Sequence, residues 1–283
     1  MFCKSPLKNN LILLSSIIIL LAQSSVFAGA WTQKKGKVYF KMDFRYLSGT
    51  KIYNSDGIKV PIPEFKDMTI GLFSSYGITN DFTTFINFAA FKTVKLDTPP
   101  SVAGFETDVK NIGDIDIGFK YKIGQFGKTV ISTKIIFGLP TGESTTDGGL
   151  WTGSGNFNQM FGLEAGHSFY PFPAYISGGI VFNNQTKGFS DEFKYIFESG
   201  YSFSKNLSLI IRLHGAVSTK NGDSNIKGGF VIFSNNRQYI AYNAELVYKI
   251  SKKFGIKGYY ESGTNGKNII SAPVFNVGFY LTN

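Results

Sequence analysis

The alternation of apolar and polar residues is clearest in the segment 111–143. From Asp114 to Ile123, an apolar side chain occupies every second position, and aspartate, glycine or lysine occupies the positions between. The alternation resumes after residues 124–128 and continues to Leu139. A period of two is that of a β-strand. Two such runs joined by a short glycine-containing turn predict a hairpin with strands of about ten residues.

Similar alternating segments recur along the chain and predict about twelve strands in total. They span 38–46, 68–78, 82–90, 114–123, 131–139, 156–169, 174–182, 192–203, 207–214, 239–250, 254–262 and 273–281. The connections near 79, 125, 172, 205 and 252 are short, and those near 57, 103, 148, 186, 228 and 267 are longer. Short periplasmic turns and long extracellular loops are typical of outer-membrane barrels.

Strand length favours the same architecture. Strands of about ten residues suit a tilted crossing of a bilayer, whereas strands of soluble proteins usually run to about five or six. We therefore predict an all-β chain that forms a transmembrane antiparallel up-and-down β-barrel. The alternative is a secreted soluble β protein, in which the apolar face would be a core.

The N-terminus is typical of an export signal. Lys4 and Lys8 precede an apolar run from Leu11 to Ala22, and small residues at 26–30 fit a cleavage site. We predict a signal peptide over residues 1–28, with an uncleaved anchor as the alternative. A periplasmic lead-in over 29–36, too small for a plug domain, and a barrel over 37–283 follow. The only cysteine, Cys3, precedes the apolar run, so the exported chain would have no disulfide.

Composition adds to this prediction. The chain holds 28 phenylalanines and 15 tyrosines, which suits aromatic girdles at the two rims of a barrel. The formal charge is +10, but the basic residues are scattered and form no arginine-rich run. Nucleic-acid binding is therefore not predicted. The expected partners are outer-membrane lipid and lipopolysaccharide, the barrel-assembly machinery and a small-molecule solute.

The polar face of the strands predicts the lining of a lumen. The candidate lining residues are Lys41, Asp43, Arg45, Asp114, Asp116, Lys120, Lys134, Glu164, Glu198, Arg212, His214, Glu245, Lys257 and Glu261. Bulky residues on the same phase, such as Phe73, Phe85 and Phe91, indicate a partly filled interior. A barrel of about eight strands is filled by side chains and about sixteen leave a channel, so twelve predict a narrow pore. Two alternatives follow for the lumen: a conduction pathway, or a closed barrel that is packed by ion pairs.

One long loop is a candidate for a constriction. The segment 141–155 combines several glycines, including Gly148, with Leu150 and Trp151. If the loop folds inward, Trp151 would pack against Phe73 or Phe85 and narrow the pore. The alternative places Trp151 in the aromatic girdle at the membrane interface.

Catalytic and metal-binding patterns are weak. The histidines are His167 and His214, and no His-x-Ser pair accompanies them. Arg212 stands two residues before His214, where a water-activating pair would need an acid. We predict no enzyme activity, metal site or cofactor, and retain an outer-membrane enzyme as the second alternative to a channel.

Three motifs resemble a known family. The runs 113–121 (GDIDIGFKY), 138–143 (GLPTGE) and 152–155 (TGSG) are similar to the outer-membrane transporter family associated with the phenol meta-cleavage pathway. The resemblance implies a single porin-like barrel in the bacterial outer membrane, for passive uptake of small, often hydrophobic or aromatic, compounds. The first alternative is a closed structural or adhesive surface barrel without transport.

Overall fold

The computed structural model describes residues 29–97, 107–146, 149–230 and 232–283, so the predicted signal peptide lies outside the described residues. The described part of the chain contains fourteen β-strands. They are β1 (Val38–Tyr53), β2 (Lys59–Gly77), β3 (Phe82–Leu96), β4 (Asp108–Asn111), β5 (Ile115–Phe126), β6 (Thr129–Leu139), β7 (Asn158–Ser168), β8 (Ala174–Gln185), β9 (Glu192–Ser202), β10 (Leu207–Ser218), β11 (Gln238–Lys249), β12 (Phe254–Lys267), β13 (Ile269–Ile270) and β14 (Val274–Thr282).

The sheet closes on itself. Antiparallel pairing runs from β1 through β2, β3 and β5 to β12, then to β14, which pairs back to β1. The short strand β4 pairs with β3 beyond the start of β5, and β13 pairs with the far end of β1. Twelve strands therefore form the wall, and the predicted antiparallel barrel is confirmed.

The alternation of side chains follows the wall. Along β7, Phe161 and Leu163 are exposed, whereas Met160 and Glu164, at alternate positions, are buried. Phe119 is likewise exposed on the outside of β5. An outer surface of apolar side chains around a closed ladder suits a lipid environment, because closure leaves no unpaired strand edge in hydrocarbon.

The two ends of the barrel differ in their connections. Turns of two to five residues occupy 78–81, 127–128, 169–173, 203–206 and 250–253, and this side is called the short-turn end. The opposite side, the long-loop end, carries the longer connections, including 140–157 and 219–237. In the turn 127–128, Gly127 has a φ of 60°, a left-handed conformation that glycine adopts without steric cost.

Strands β1, β2 and β3 are longer than the sequence pattern predicts. Pro61 and Pro63 indicated a loop, yet both lie within β2. Before Phe65, β2 pairs with β1 but has no partner residues in β3, so this part of β2 is an edge. A proline on an edge strand removes no ladder hydrogen bond, which explains why the strand continues through it.

The buried apolar core lies at the long-loop end. Its members project from β1–β4 and β14 and from the loop 140–157: Leu47, Phe65, Val94, Val109, Leu150 and Val274. Phe230 and Ile232, from the loop 219–237, pack against it. Two long loops therefore fold onto one side of the wall and bury apolar side chains there.

Candidate functional site in the lumen

The first structural element of the lumen is the N-terminal segment, residues 29–36. Its residue Gln33 is only 5% exposed. The Gln33 backbone N–H donates to Thr83 Oγ1 at 2.8 Å, and its side-chain amide donates to Ser75 Oγ at 3.3 Å. Lys120 Nζ donates to the carbonyl of Gly29. The sequence predicts a periplasmic lead-in over residues 29–36, but residues 29–33 lie inside the barrel, where lumen side chains satisfy their backbone polar groups.

Trp31 occupies an aromatic slot in the wall. Its ring meets Tyr175 edge-to-face, with centroids 5.5 Å apart and planes at 86°. A Cβ atom at Gly166 would lie 2.6 Å from the indole, so the glycine leaves the space that the ring fills. Tyr175 also donates from its hydroxyl to Glu198 Oε1 at 2.5 Å.

Acidic and basic side chains alternate across one side of the lumen. The members of this charged arc, on β1, β12, β11, β10 and β9, are Lys41, Asp43, Lys257, Glu245, Arg212 and Glu198. Successive N–O distances along the arc are 2.9, 3.3, 3.2, 3.3 and 2.5 Å. With three acids and three bases, the arc balances its own charge. Mutual pairing offsets the cost of removing these groups from water.

A second group of charges is not balanced in this way. Lys120 Nζ lies 2.8 Å from Glu164 Oε2, and Lys134 Nζ lies 2.5 Å from Glu164 Oε1. We call these three residues the two-lysine cluster. Two ammonium groups share one carboxylate, so the cluster carries an excess positive charge.

Aromatic rings line another part of the wall. This aromatic arc, on β3, β2, β1 and β14, consists of Phe85, Phe73, Tyr39 and Tyr280. Phe73 stacks on Phe85 with centroids 5.9 Å apart, and Tyr39 stacks on Tyr280 at 5.7 Å. A Cβ atom at Gly118 would lie 2.1 Å from the Phe85 ring, so this strand glycine makes room for an aromatic ring.

A cavity of about 510 Å³ lies between these groups. The aromatic arc, the two-lysine cluster and most of the charged arc line it, together with Gly29, Trp31 and Gln33. Small-molecule sites usually measure about 300 to 1,000 Å³. The interior of the barrel therefore retains space for a small solute beside the N-terminal segment.

A further ionic layer lies next to the apolar core. Asp67 is fully buried, 3.0 Å from Arg45 Nη2 and 2.7 Å from Lys92 Nζ. The Lys92 ammonium also lies 5.3 Å from the centre of the Phe233 ring, which attaches the loop 219–237 to the wall.

The loop 140–157 folds inward at the long-loop end. Leu150 is 1% exposed, and the Phe230 N–H donates to the Gly149 carbonyl at 2.7 Å, which joins this loop to the loop 219–237. A Cβ atom at Gly229 would lie 2.6 Å from the Trp151 ring, so Trp151 packs on the neighbouring loop. Gly148 of the predicted constriction lies outside the described residues.

Two acids hold the loop 140–157 in place. Asp114 accepts hydrogen bonds from the backbone N–H groups of Gly142, at 3.1 Å, and Ser154, at 2.6 Å. Glu143 accepts from the Thr145 hydroxyl at 2.6 Å and from the Thr145 N–H at 2.7 Å. These hydrogen bonds lower the pKa of Glu143 below its ordinary value.

The structure places the candidate lining residues in two clusters, one pair and three separate contacts. The charged arc holds Lys41, Asp43, Glu198, Arg212, Glu245 and Lys257, and the two-lysine cluster holds Lys120, Lys134 and Glu164. His214 Nε2 lies 3.1 Å from Glu261 Oε2. Arg45 pairs with Asp67, Asp114 binds the loop, and Asp116 accepts from Asn87 at 3.3 Å. The barrel thus distributes these residues over several layers.

Some residues of the lumen are not among the sequence candidates. Tyr175 and Tyr280 lie on the lumen phase of their strands and were detectable by phase alone. Lys92 was not detectable in this way, because the register between β2 and β3 shifts. Ile70 pairs with Phe91, but the next residue of β2, Gly71, pairs with Ala89, so β3 has one extra residue at this point. The extra residue reverses the phase of β3. Phe91, predicted to face the lumen, is therefore exposed, and Lys92 is buried.

Comparisons with known proteins support the architecture. No family model and no curated protein sequence matches this chain. Among solved structures, the COG4313 outer membrane channel from Pseudomonas putida F1 matches with a TM-score of 0.67 and 12% identity, covering 90% of this chain and 98% of the other. The NanC porin matches with a TM-score of 0.52 and 7% identity, covering 85% and 98%. The fold is that of an outer-membrane β-barrel.

At such identities the likeness establishes the fold alone. Within residues 29–97, 107–146, 149–230 and 232–283, no group of three or more metal-ligating side chains is found. The same ranges contain no helix that is long and apolar enough to span a membrane. His167 Nδ1 lies 2.8 Å from Thr129 Oγ1.

Proposed function

We propose that the protein is a channel of the bacterial outer membrane, exported by residues 1–28, that admits small solutes by passive diffusion. The cavity of about 510 Å³ in the middle of the barrel is the observation that supports this proposal most strongly. A barrel whose only role was structural would gain stability by filling this space with side chains. The solutes are small molecules that tolerate both aromatic and charged surfaces, because both line the cavity.

The cavity lies between elements that are not part of the wall. The N-terminal segment lies towards the short-turn end, and the loops 140–157 and 219–237 lie at the long-loop end. Passage of a solute requires these elements to move, so the channel is narrow or gated. A closed structural barrel is the second candidate, because the ion pairs of the charged arc also suit a permanently packed interior.

Ion selectivity in planar bilayers tests the proposal. We expect single-channel steps from the purified protein and a preference for anions, because the two-lysine cluster carries excess positive charge. Lys134→Gln should lower that preference, measured as a shift in reversal potential across a salt gradient. Lys252→Gln, which makes the same change on an exposed turn, is the matched control. A protein that inserts but gives no steps under any voltage would support the closed barrel.

A further inference from the structure

Backbone carbonyl groups of the N-terminal segment accept hydrogen bonds from polar side chains at the centre of the lumen. Lys120 Nζ donates to the Gly29 carbonyl, and Ser132 Oγ donates to the Ala30 carbonyl. Lys120 and Lys134 share the single carboxylate of Glu164. A carboxylate would be a stronger acceptor for these donors than a neutral carbonyl, because charge-assisted hydrogen bonds are roughly twice as strong as neutral ones.

An aromatic ring lies close to those carbonyl groups. Trp31 directly follows Ala30, and its indole fills the slot formed by Tyr175 and Gly166. From the Ala30 carbonyl carbon, the chain passes through the Trp31 nitrogen, Cα and Cβ before it reaches the ring. An aromatic acid with a spacer of three atoms, such as 4-phenylbutyrate, reproduces this arrangement of oxygen atoms and ring.

The charge of the lumen favours an anion at this position. The charged arc pairs its acids and bases with one another, whereas the two-lysine cluster has one base in excess. Lys120, Lys134 and Glu164 all line the cavity. A monoanion entering the cavity therefore meets uncompensated positive charge beside an aromatic slot.

We propose that the lumen contains a binding site for small aromatic carboxylates, and that the N-terminal segment occupies this site as a built-in competitor. The carboxylate binds Lys120 and Ser132, and the aromatic ring enters the slot between Tyr175 and Gly166. Binding displaces Gly29, Ala30 and Trp31 together. This proposal rests on the channel function proposed above, and it adds a class of solute and a way in which that solute opens its own path.

The two tryptophans allow the displacement to be observed. Trp151→Phe leaves Trp31 as the sole tryptophan of the mature chain. In the detergent-solubilised protein, 4-phenylbutyrate should cause a saturable red shift of Trp31 emission and should increase its quenching by acrylamide. Butyrate, which lacks the ring, and 4-phenylbutanol, which lacks the charge, should each bind much more weakly. Equal responses to the acid and the alcohol would show apolar partitioning and overturn the proposal.

Variants identify the donors, with binding measured by calorimetry so that the readout does not depend on Trp31. Lys120→Gln should weaken 4-phenylbutyrate binding about tenfold or more, since it removes a charged donor. Lys122→Gln is the matched control: Lys122 lies on the same strand but pairs with Asp81 at 2.5 Å, and binding should be unchanged. If Lys120→Gln does not fold, Ser132→Ala probes the second donor and should also weaken binding.

Deletion of residues 29–35 gives the sharpest test. Removal of a competitor should tighten 4-phenylbutyrate binding, whereas removal of a segment that forms part of the site would weaken it. Weaker or absent binding in this variant would overturn the proposal. A barrel that conducts but does not bind 4-phenylbutyrate would contradict this inference alone, whereas a barrel that binds it but never conducts would contradict the channel.

Discussion

The two ends of the lumen are closed by different kinds of interaction. At the short-turn end, the N-terminal segment is held by hydrogen bonds, such as that from Thr32 Oγ1 to the Asn80 carbonyl at 2.8 Å, and by a single aromatic anchor, Trp31 against Tyr175. At the long-loop end, Leu150 and Phe230 are part of an apolar core shared with the wall. A hydrogen bond contributes about 0.5–1.5 kcal/mol net, because water replaces it on opening, whereas burial of a large apolar side chain contributes about 1.5–3 kcal/mol.

This difference indicates which end opens. Water or a polar solute can replace the hydrogen-bond partners of the N-terminal segment, which leaves Trp31 as its one aromatic contact, but neither can replace the shared apolar core of the loops. In the proposed channel the short-turn end is therefore the gate, and the loops 140–157 and 219–237 form a more stable cover. Opening should also be local, since residues 29–36 contribute no strand to the wall.

The largest expected difference between the two ends comes from shortening a buried side chain in the cover, the loops 140–157 and 219–237. Leu150→Ala should lower the free energy of opening the loop 140–157 by about 2–5 kcal/mol, because it leaves a cavity in a buried core. Gln33→Ala, at the other end, removes polar contacts and should cost about 1 kcal/mol. Hydrogen exchange of the two segments measures both effects. Equal losses of protection would mean that the two ends are held with similar strength.

A smaller loss of stability is expected from a change at Asp114, which holds the loop 140–157 in place. Asp114→Asn keeps the shape of the side chain but replaces an ionised acceptor of two backbone N–H groups. The loop should lose about 1.5–3 kcal/mol of protection, with no change in the N-terminal segment. Limited proteolysis of the intact barrel provides the measurement. Cleavage in residues 29–36 instead would indicate that the two ends are coupled.

The smallest effect is a pH dependence of the cover. Since the folded loop lowers the pKa of Glu143 below 4.5, ionised Glu143 stabilises the loop above that pH. This contribution is lost as the pH falls through the lowered pKa. Proteolysis of the loop should therefore increase in acid, by less in Glu143→Gln than in the native protein. An identical acid response of the two proteins would remove Glu143 as the cause.

Much of the wall follows from the sequence, and the reason is visible in β7. This strand alternates strictly: Phe161 and Leu163 point outward, and Met160 and Glu164 point inward. Such an alternation predicts directly which face meets lipid. The pattern fails where the backbone departs from it. The bulge in β3 reverses the positions of Phe91 and Lys92, and no feature of the sequence marks it.

The arrangement of side chains in the lumen is harder to predict from the sequence, because it depends on contacts between distant parts of the chain. Lys120 and Glu164 were both candidates by phase, but their pairing requires the register of β5, β6 and β7. Trp31 lies in a segment with no strand pattern, so its place inside the barrel could not be derived from periodicity. Its aromatic ring, in a polar stretch, was the available signal.

Single-channel recording of two deletion variants tests the central claim that the N-terminal segment is the gate. The variants lack residues 29–35 or residues 149–155, and both should be shown to fold as barrels before they are compared with the native protein. Removal of residues 29–35 should raise the single-channel conductance more than removal of residues 149–155 does. Native conductance in the first variant, or a larger increase in the second, would contradict this claim.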